Sequence, residues 1–169
     1  MKTLSKITLL TLLLCGLINN PIQAQIEEGP RAQSVYAELA GPGLLFSANY
    51  DTRFSKARNG WGARAGAGYL SADNNSILTL PVQINYLLGK QGKYFEVGLG
   101  ATFVSTKGSN NDDNFFVFDD ASTTIGTMTF GYRYQPIDGG FNFRASLNPI
   151  FNKSNFIPYY FGLSFGYTF

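Results

Sequence analysis

The chain has 169 residues, 13 basic against 11 acidic side chains, one cysteine and no histidine. Near-neutral charge removes the electrostatic reason to look for nucleic acid, and the missing histidine removes every Ser-His or Cys-His catalytic arrangement. At this length a single domain is the expected count.

Met1 to Ala24 reads as a secretory signal peptide. Lys2 and Lys6 charge its start, Ile7 to Ile18 form the apolar run, and Asn19, Asn20 and Pro21 end it before Ala24. The run is short of the roughly 20 residues that a bilayer-spanning helix needs. Cys15 raises a lipoprotein anchor as an alternative, but bulky Leu14 precedes it where such signals resemble Gly, Ala or Ser. Cleavage after Ala24 takes 24 residues from 169 and leaves 145, with 11 basic and 11 acidic side chains and no cysteine. Residues 25–33 are then a polar leader, and residues 34–169 the domain.

Eight segments of that domain alternate with a period of two, the signature of a strand with two chemically different faces. They are Ser34–Ala40, Leu44–Phe54, Trp61–Leu70, Ile77–Leu88, Tyr94–Val104, Thr123–Tyr134, Phe141–Phe151 and Tyr159–Phe169. Leu44, Phe46, Ala48, Tyr50 and Phe54 share the apolar face of the second. Leu78, Leu80, Val82, Ile84, Tyr86 and Leu88 share that of the fourth. Three connections are short and contain glycine: Ser55–Gly60, Gly89–Lys93 and Gln135–Gly140. The one long connection, Ser105–Ser122, falls on the opposite side by parity, as external loops do in outer membrane barrels. Gly41-Pro42-Gly43 is read as a turn; as a bulge it would merge the first two strands and reduce the count to seven.

The polar phase decides which face meets which medium. It holds Gly62, Gly66, Gly68, Gly98, Gly100, Gly131, Gly162 and Gly166, with Ser, Thr and Asn between them. A water-facing sheet would carry Lys and Glu there, and glycine weakens a strand interior. Small residues beside a few long ones suit the narrow inside of an eight-stranded barrel. The charged strand residues Glu38, Asp51, Arg53, Arg64, Glu96, Arg133 and Arg144 all fall in this phase, and every lysine after residue 24 lies in a proposed turn or loop. A charge turned to lipid at mid-bilayer costs about 2–4 kcal/mol, so the apolar phase is expected to face hydrocarbon. Trp61, Phe95, Tyr132, Tyr134 and Phe141 sit near one set of strand ends, where amphipathic rings favour an interface.

Two groupings invite a chemical reading. The seven interior charges, with Gln83, Asn85 and Asn142, read as a salt-bridge network that satisfies and closes the interior, against a gate or small-ion path. The long loop carries Asp112, Asp113, Phe115, Phe116, Phe118, Asp119 and Asp120. Its carboxylates invite calcium, but the spacing matches no EF-hand loop, and a solvated or partner-contacting loop is the simpler reading. No phosphate loop or metal cluster is evident, so no catalytic residue, cofactor or metal is assigned.

In the last segment Phe161, Leu163, Phe165, Tyr167 and Phe169 share one face, opposite Gly162, Ser164, Gly166 and Thr168. This resembles the C-terminal strand of bacterial outer membrane β-barrels, and the eight-strand pattern resembles the OmpA/OmpX-like superfamily of small outer membrane barrels. The resemblance implies an all-β, eight-stranded, antiparallel up-and-down transmembrane barrel behind a cleaved signal peptide. It also implies a monomer located in the bacterial outer membrane, with the surrounding lipids and the barrel assembly machinery as partners. A structural or surface-interaction role through external loops is the first functional expectation. The alternatives are a lipid-modifying enzyme lacking histidine and a soluble, lipocalin-like lipid carrier. Deleting Phe169 is expected to lower the amount of inserted barrel while export across the inner membrane continues, as quantitative immunoblotting of fractionated cells would record.

Overall fold

The computed structural model describes residues 31–72, 75–107 and 122–169. The expected signal peptide, most of the leader, and the loop residues from Asp112 to Asp120 lie outside the described residues.

Among the described residues ten strands form: β1 (Gln33–Ala40), β2 (Phe46–Arg53), β3 (Gly60–Ala72), β4 (Asn75–Lys90), β5 (Lys93–Lys107), β6 (Ser122–Tyr134), β7 (Gly140–Leu147), β8 (Ile150–Phe151), β9 (Phe156–Ile157) and β10 (Phe161–Thr168). Eight of them make the wall, in the order β5-β4-β3-β2-β1-β10-β7-β6, and β6 returns to pair with β5. All these pairings are antiparallel, so the eight-stranded wall closes on itself. The seam is made by the two ends of the domain. Ser34 pairs with Thr168, and Gln33 and Phe169 exchange both backbone hydrogen bonds at 2.9 and 3.1 Å. By this topology the turns after β2, β4 and β6 share the end of the barrel that carries β1's start and Phe169, here called the near end.

Sequence phase is translated directly into inside and outside. The seven charges are all buried, whereas Val35, Phe46, Ile84, Leu99, Phe130 and Phe165, on six different wall strands, are exposed on the outer face. Phe161, Leu163, Tyr167 and Phe169 lie on that same outer face of the last strand. Trp61, Phe95, Tyr132, Tyr134 and Phe141 ring the near end, all exposed, and Trp61 packs edge-to-face on Tyr86 with ring centroids 5.1 Å apart. An apolar surface that runs around the whole molecule is far beyond the scattered patches that water tolerates on a monomer. A carrier of a lipophilic ligand would need the opposite arrangement, with its bulky side chains lining the centre.

Two local expectations are corrected. Leu44 does not share the outer face of β2; it is 3% exposed and packs inside with Val104, Ile125 and Ile150. The reason is that Gly41–Gly43 forms a 3-10 turn folded into the mouth at the far end, with Gly41, Pro42 and Gly43 all buried. The turn keeps the wall count at eight, but it requires positive φ at two non-glycine residues, 56° at Ala40 and 73° at Leu44, conformations that neighbouring contacts must hold in place. The seventh segment is also not one continuous strand. Pro149 has no N–H to give the ladder, so β7 stops at Leu147 and β8 resumes beside Gly126 and Thr127 of β6, while Asn148 turns its side chain inward.

The same geometry sets the cost of a misplaced charge. Ile84→Arg, in the middle of β4's outer face, is expected to lower unfolding free energy in lipid vesicles by about 2–4 kcal/mol, and Phe141→Arg, at the near rim, by about 0–1 kcal/mol. Denaturant titration of both variants beside Ile84→Leu measures the difference.

Candidate functional site

The lumen is the candidate site, because it gathers every charged residue of the wall that the sequence singled out. Three near-end strands bring their alternate residues inward to one carboxylate. Asp51 on β2 receives Arg53 Nη2 and Arg133 Nη2 on Oδ1, each at 2.8 Å, and Asn85 Nδ2 on Oδ2 at 2.7 Å. Asn85 also donates to Glu96 Oε1 at 3.0 Å and accepts from Arg53, so one amide ties two carboxylates and a guanidinium together. Arg53 reaches the Gly60 carbonyl at 3.1 Å. Arg133 and Arg144 approach the two Glu96 oxygens at 3.7 Å, and Arg144 stands 3.7 Å from Asp51 Oδ2. These three contacts are ion pairs too long to be hydrogen bonds.

A second group lies further along the barrel. Arg64 Nη1 donates to Glu38 Oε1 and to the Tyr36 hydroxyl, both at 3.0 Å. The Arg144 guanidinium lies 3.9 Å from the centre of the Tyr36 ring, a cation–π contact that joins the two groups. Small residues make this crowding feasible: a Cβ on Gly62 would overlap the Arg53 guanidinium.

Glu38 links the charges to the inward turn. Its Oε2 accepts the Gly43 N–H at 3.2 Å, and Ser164 Oγ donates to Oε1 at 3.3 Å. The turn's carbonyls are taken from across the barrel. Thr102 on β5 donates to the Pro42 oxygen at 2.6 Å, Thr79 on β4 to Gly43 at 3.0 Å, and the Tyr160 hydroxyl to Leu44. Gly162 is required opposite, since a Cβ there would lie 2.8 Å from Gly41 Cα. The apolar cluster of Leu44, Val104, Ile125 and Ile150 surrounds the turn.

Glu38, Asp51, Arg53, Arg64, Glu96, Arg133 and Arg144 are thus brought together as one connected set, and Gln83, Asn85 and Asn142 are buried with them. Gln83 accepts from Thr129 at 3.1 Å, and Asn142 donates to Thr168 at 3.0 Å. Sequence reading passed over Tyr36 and Asn148, although both continue the inward phase of their strands. It also missed buried Arg58, whose turn has no period to read. Among the described residues no group of His, Cys, Asp and Glu could hold a metal ion.

No family model matches the chain, and no curated protein matches it. Among solved structures it is similar to the N-terminal β-barrel domain of Pseudomonas aeruginosa OprF, with a TM-score of 0.57 and 14% identity over 82% of this chain and 96% of that one. The Yersinia pestis outer membrane protein Ail, determined in a phospholipid bilayer nanodisc, also matches, with a TM-score of 0.46 and 16% identity over 84% of this chain and 100% of that one. The OprF likeness bears on the fold: the chain shares the β-barrel architecture of that domain.

Asp51 is the residue on which the near-end charges converge. Asp51→Asn leaves three buried guanidinium groups short of compensation and is expected to cost about 3–5 kcal/mol. Lys153→Gln, on an exposed loop, is expected to cost nothing measurable; urea titration of the reconstituted barrels compares the two.

Proposed function

We propose that this chain is an integral protein of the bacterial outer membrane, whose barrel is a non-enzymatic anchor closed to solute and whose external connections make the contacts that matter. The observation that carries this reading is the sorting of side chains: Glu38, Asp51, Arg53, Arg64, Glu96, Arg133 and Arg144 inward, and a belt of bulky apolar residues outward. In water such a surface would aggregate, while in a bilayer it is the solvated one. The inward turn at the far end and the ion-paired network behind it support a shut lumen, and an eight-stranded barrel has room for little besides side chains.

Phe161, Leu163, Phe165, Tyr167 and Phe169 form the proposed signal for the barrel assembly machinery, and outer membrane lipids are the proposed surroundings of a monomer. The proposed surface for a partner is the loop carrying Asp112, Asp113, Phe115, Phe116, Phe118, Asp119 and Asp120. Against catalysis stands the absence of histidine, the usual general base at neutral pH. The wall carboxylates each face arginine or an amide.

Fractionation tests the reading: the protein is expected to sediment with outer membranes and to stay there through an alkaline carbonate wash. Recovery in the soluble periplasmic fraction would overturn the location. Incubation with labelled lipid A and phospholipid is expected to leave both intact, and turnover lost on substituting a carboxylate would overturn the non-enzymatic role.

A further inference from the structure

The interior charges do not balance. Arg53, Arg64, Arg133 and Arg144 stand against Glu38, Asp51 and Glu96, which leaves these seven wall residues, all at most 4% exposed, one positive charge in excess, and buried Arg58 in the turn before β3 adds a further cation. The excess is localised. Arg53 and Arg133 each make a 2.8 Å ion pair to Asp51, and Arg64 a 3.0 Å one to Glu38. Arg144 has only contacts of 3.7 Å, and none of its three nitrogens has a hydrogen-bond acceptor. Arg64 Nε and Nη2 and Arg133 Nε and Nη1 are likewise without one. These three side chains are neighbours. Arg64 and Arg144 both contact Tyr36, and Arg133 and Arg144 sit opposite each other in the β6–β7 register and share Glu96.

Seven buried N–H-bearing nitrogens and a surplus charge in a low-dielectric tube are costly unless something accepts from them. No protein acceptor reaches them. A large oxyanion has little room in an eight-stranded barrel. We propose that the lumen holds one small monovalent anion of the halide class, seated among Arg64, Arg133 and Arg144. This goes beyond the anchoring role, which needs only the ion pairs, and its failure would leave the membrane location untouched.

The test is equilibrium dialysis of the full-length folded protein in detergent micelles against radiolabelled chloride, with gluconate keeping the ionic strength constant. The expected result is saturable binding near one chloride per chain. Arg144→Gln is expected to weaken it about tenfold or more. Glu96→Gln, which raises the surplus charge, is expected to tighten it several-fold, and Lys153→Gln to leave it unchanged. Circular dichroism confirms that each variant is folded. Should Arg144→Gln fail to fold, the opposite shift expected of Glu96→Gln decides alone. No saturable chloride in the wild type, or weaker binding in Glu96→Gln, would overturn the proposal and leave the guanidinium groups to water.

Discussion

The constraint beneath the whole architecture is that a charge in this wall has only one side on which it can be compensated. Outside, hydrocarbon-like side chains leave a carboxylate or guanidinium with nothing to accept from or donate to. Inside, other strands supply partners from across the tube. Closure of the sheet and inward placement of the charges therefore depend on each other. Without β1 paired to β10, Glu38 would lack Ser164, and without β6 beside β5, Asp51 would lack Arg133. The pairs are short at Asp51, which meets Arg53 and Arg133 at 2.8 Å, and long at Glu96, which stands 3.7 Å from Arg133 and from Arg144.

A barrel built only from regular strands would leave its far mouth open. Here two departures from regularity alter that end. The turn after β1 folds inward, and Pro149 ends β7 just past the inward-facing Asn148. Asn148 then accepts from Thr129 at 2.9 Å and donates to Ser146 at 2.9 Å, extending the polar lining. The near end uses another device, in which bulky aromatics stand outward and Leu87 and Tyr94 are buried within. Polar packing dominates the middle of the lumen and apolar packing its far end.

Most of the wall was legible in the sequence because the strand period is two and the media on its two faces are so different. Eight segments, the connection parity and the direction of all seven charges follow from that alternation. The phase also placed Tyr36 inward, but a lone tyrosine between Ser34 and Glu38 carries no hint of an arginine over its ring. What could not be read lies where periodicity lapses. Gly41-Pro42-Gly43 announces a turn, yet its direction is set by Thr79, Thr102 and Tyr160, which are distant in sequence. Leu44 was misassigned for that reason: extrapolating β2 backward by two residues assumes that the strand continues, and it does not. The ion pairs of Arg64 with Glu38 and of Arg133 with Asp51 were equally illegible, since register across non-neighbouring strands decides them.

The seat of that inward turn has an implication for how the molecule comes together. Its backbone is gripped by side chains from β4, β5 and the segment before β10, the last of them 116 residues away along the chain. None of these grips exists in an isolated first hairpin, which would have to hold Ala40 and Leu44 at unfavourable dihedral angles unaided. The cork can be seated only once the staves of the cask have met, so the turn takes its place last, although it belongs to the part of the wall made first.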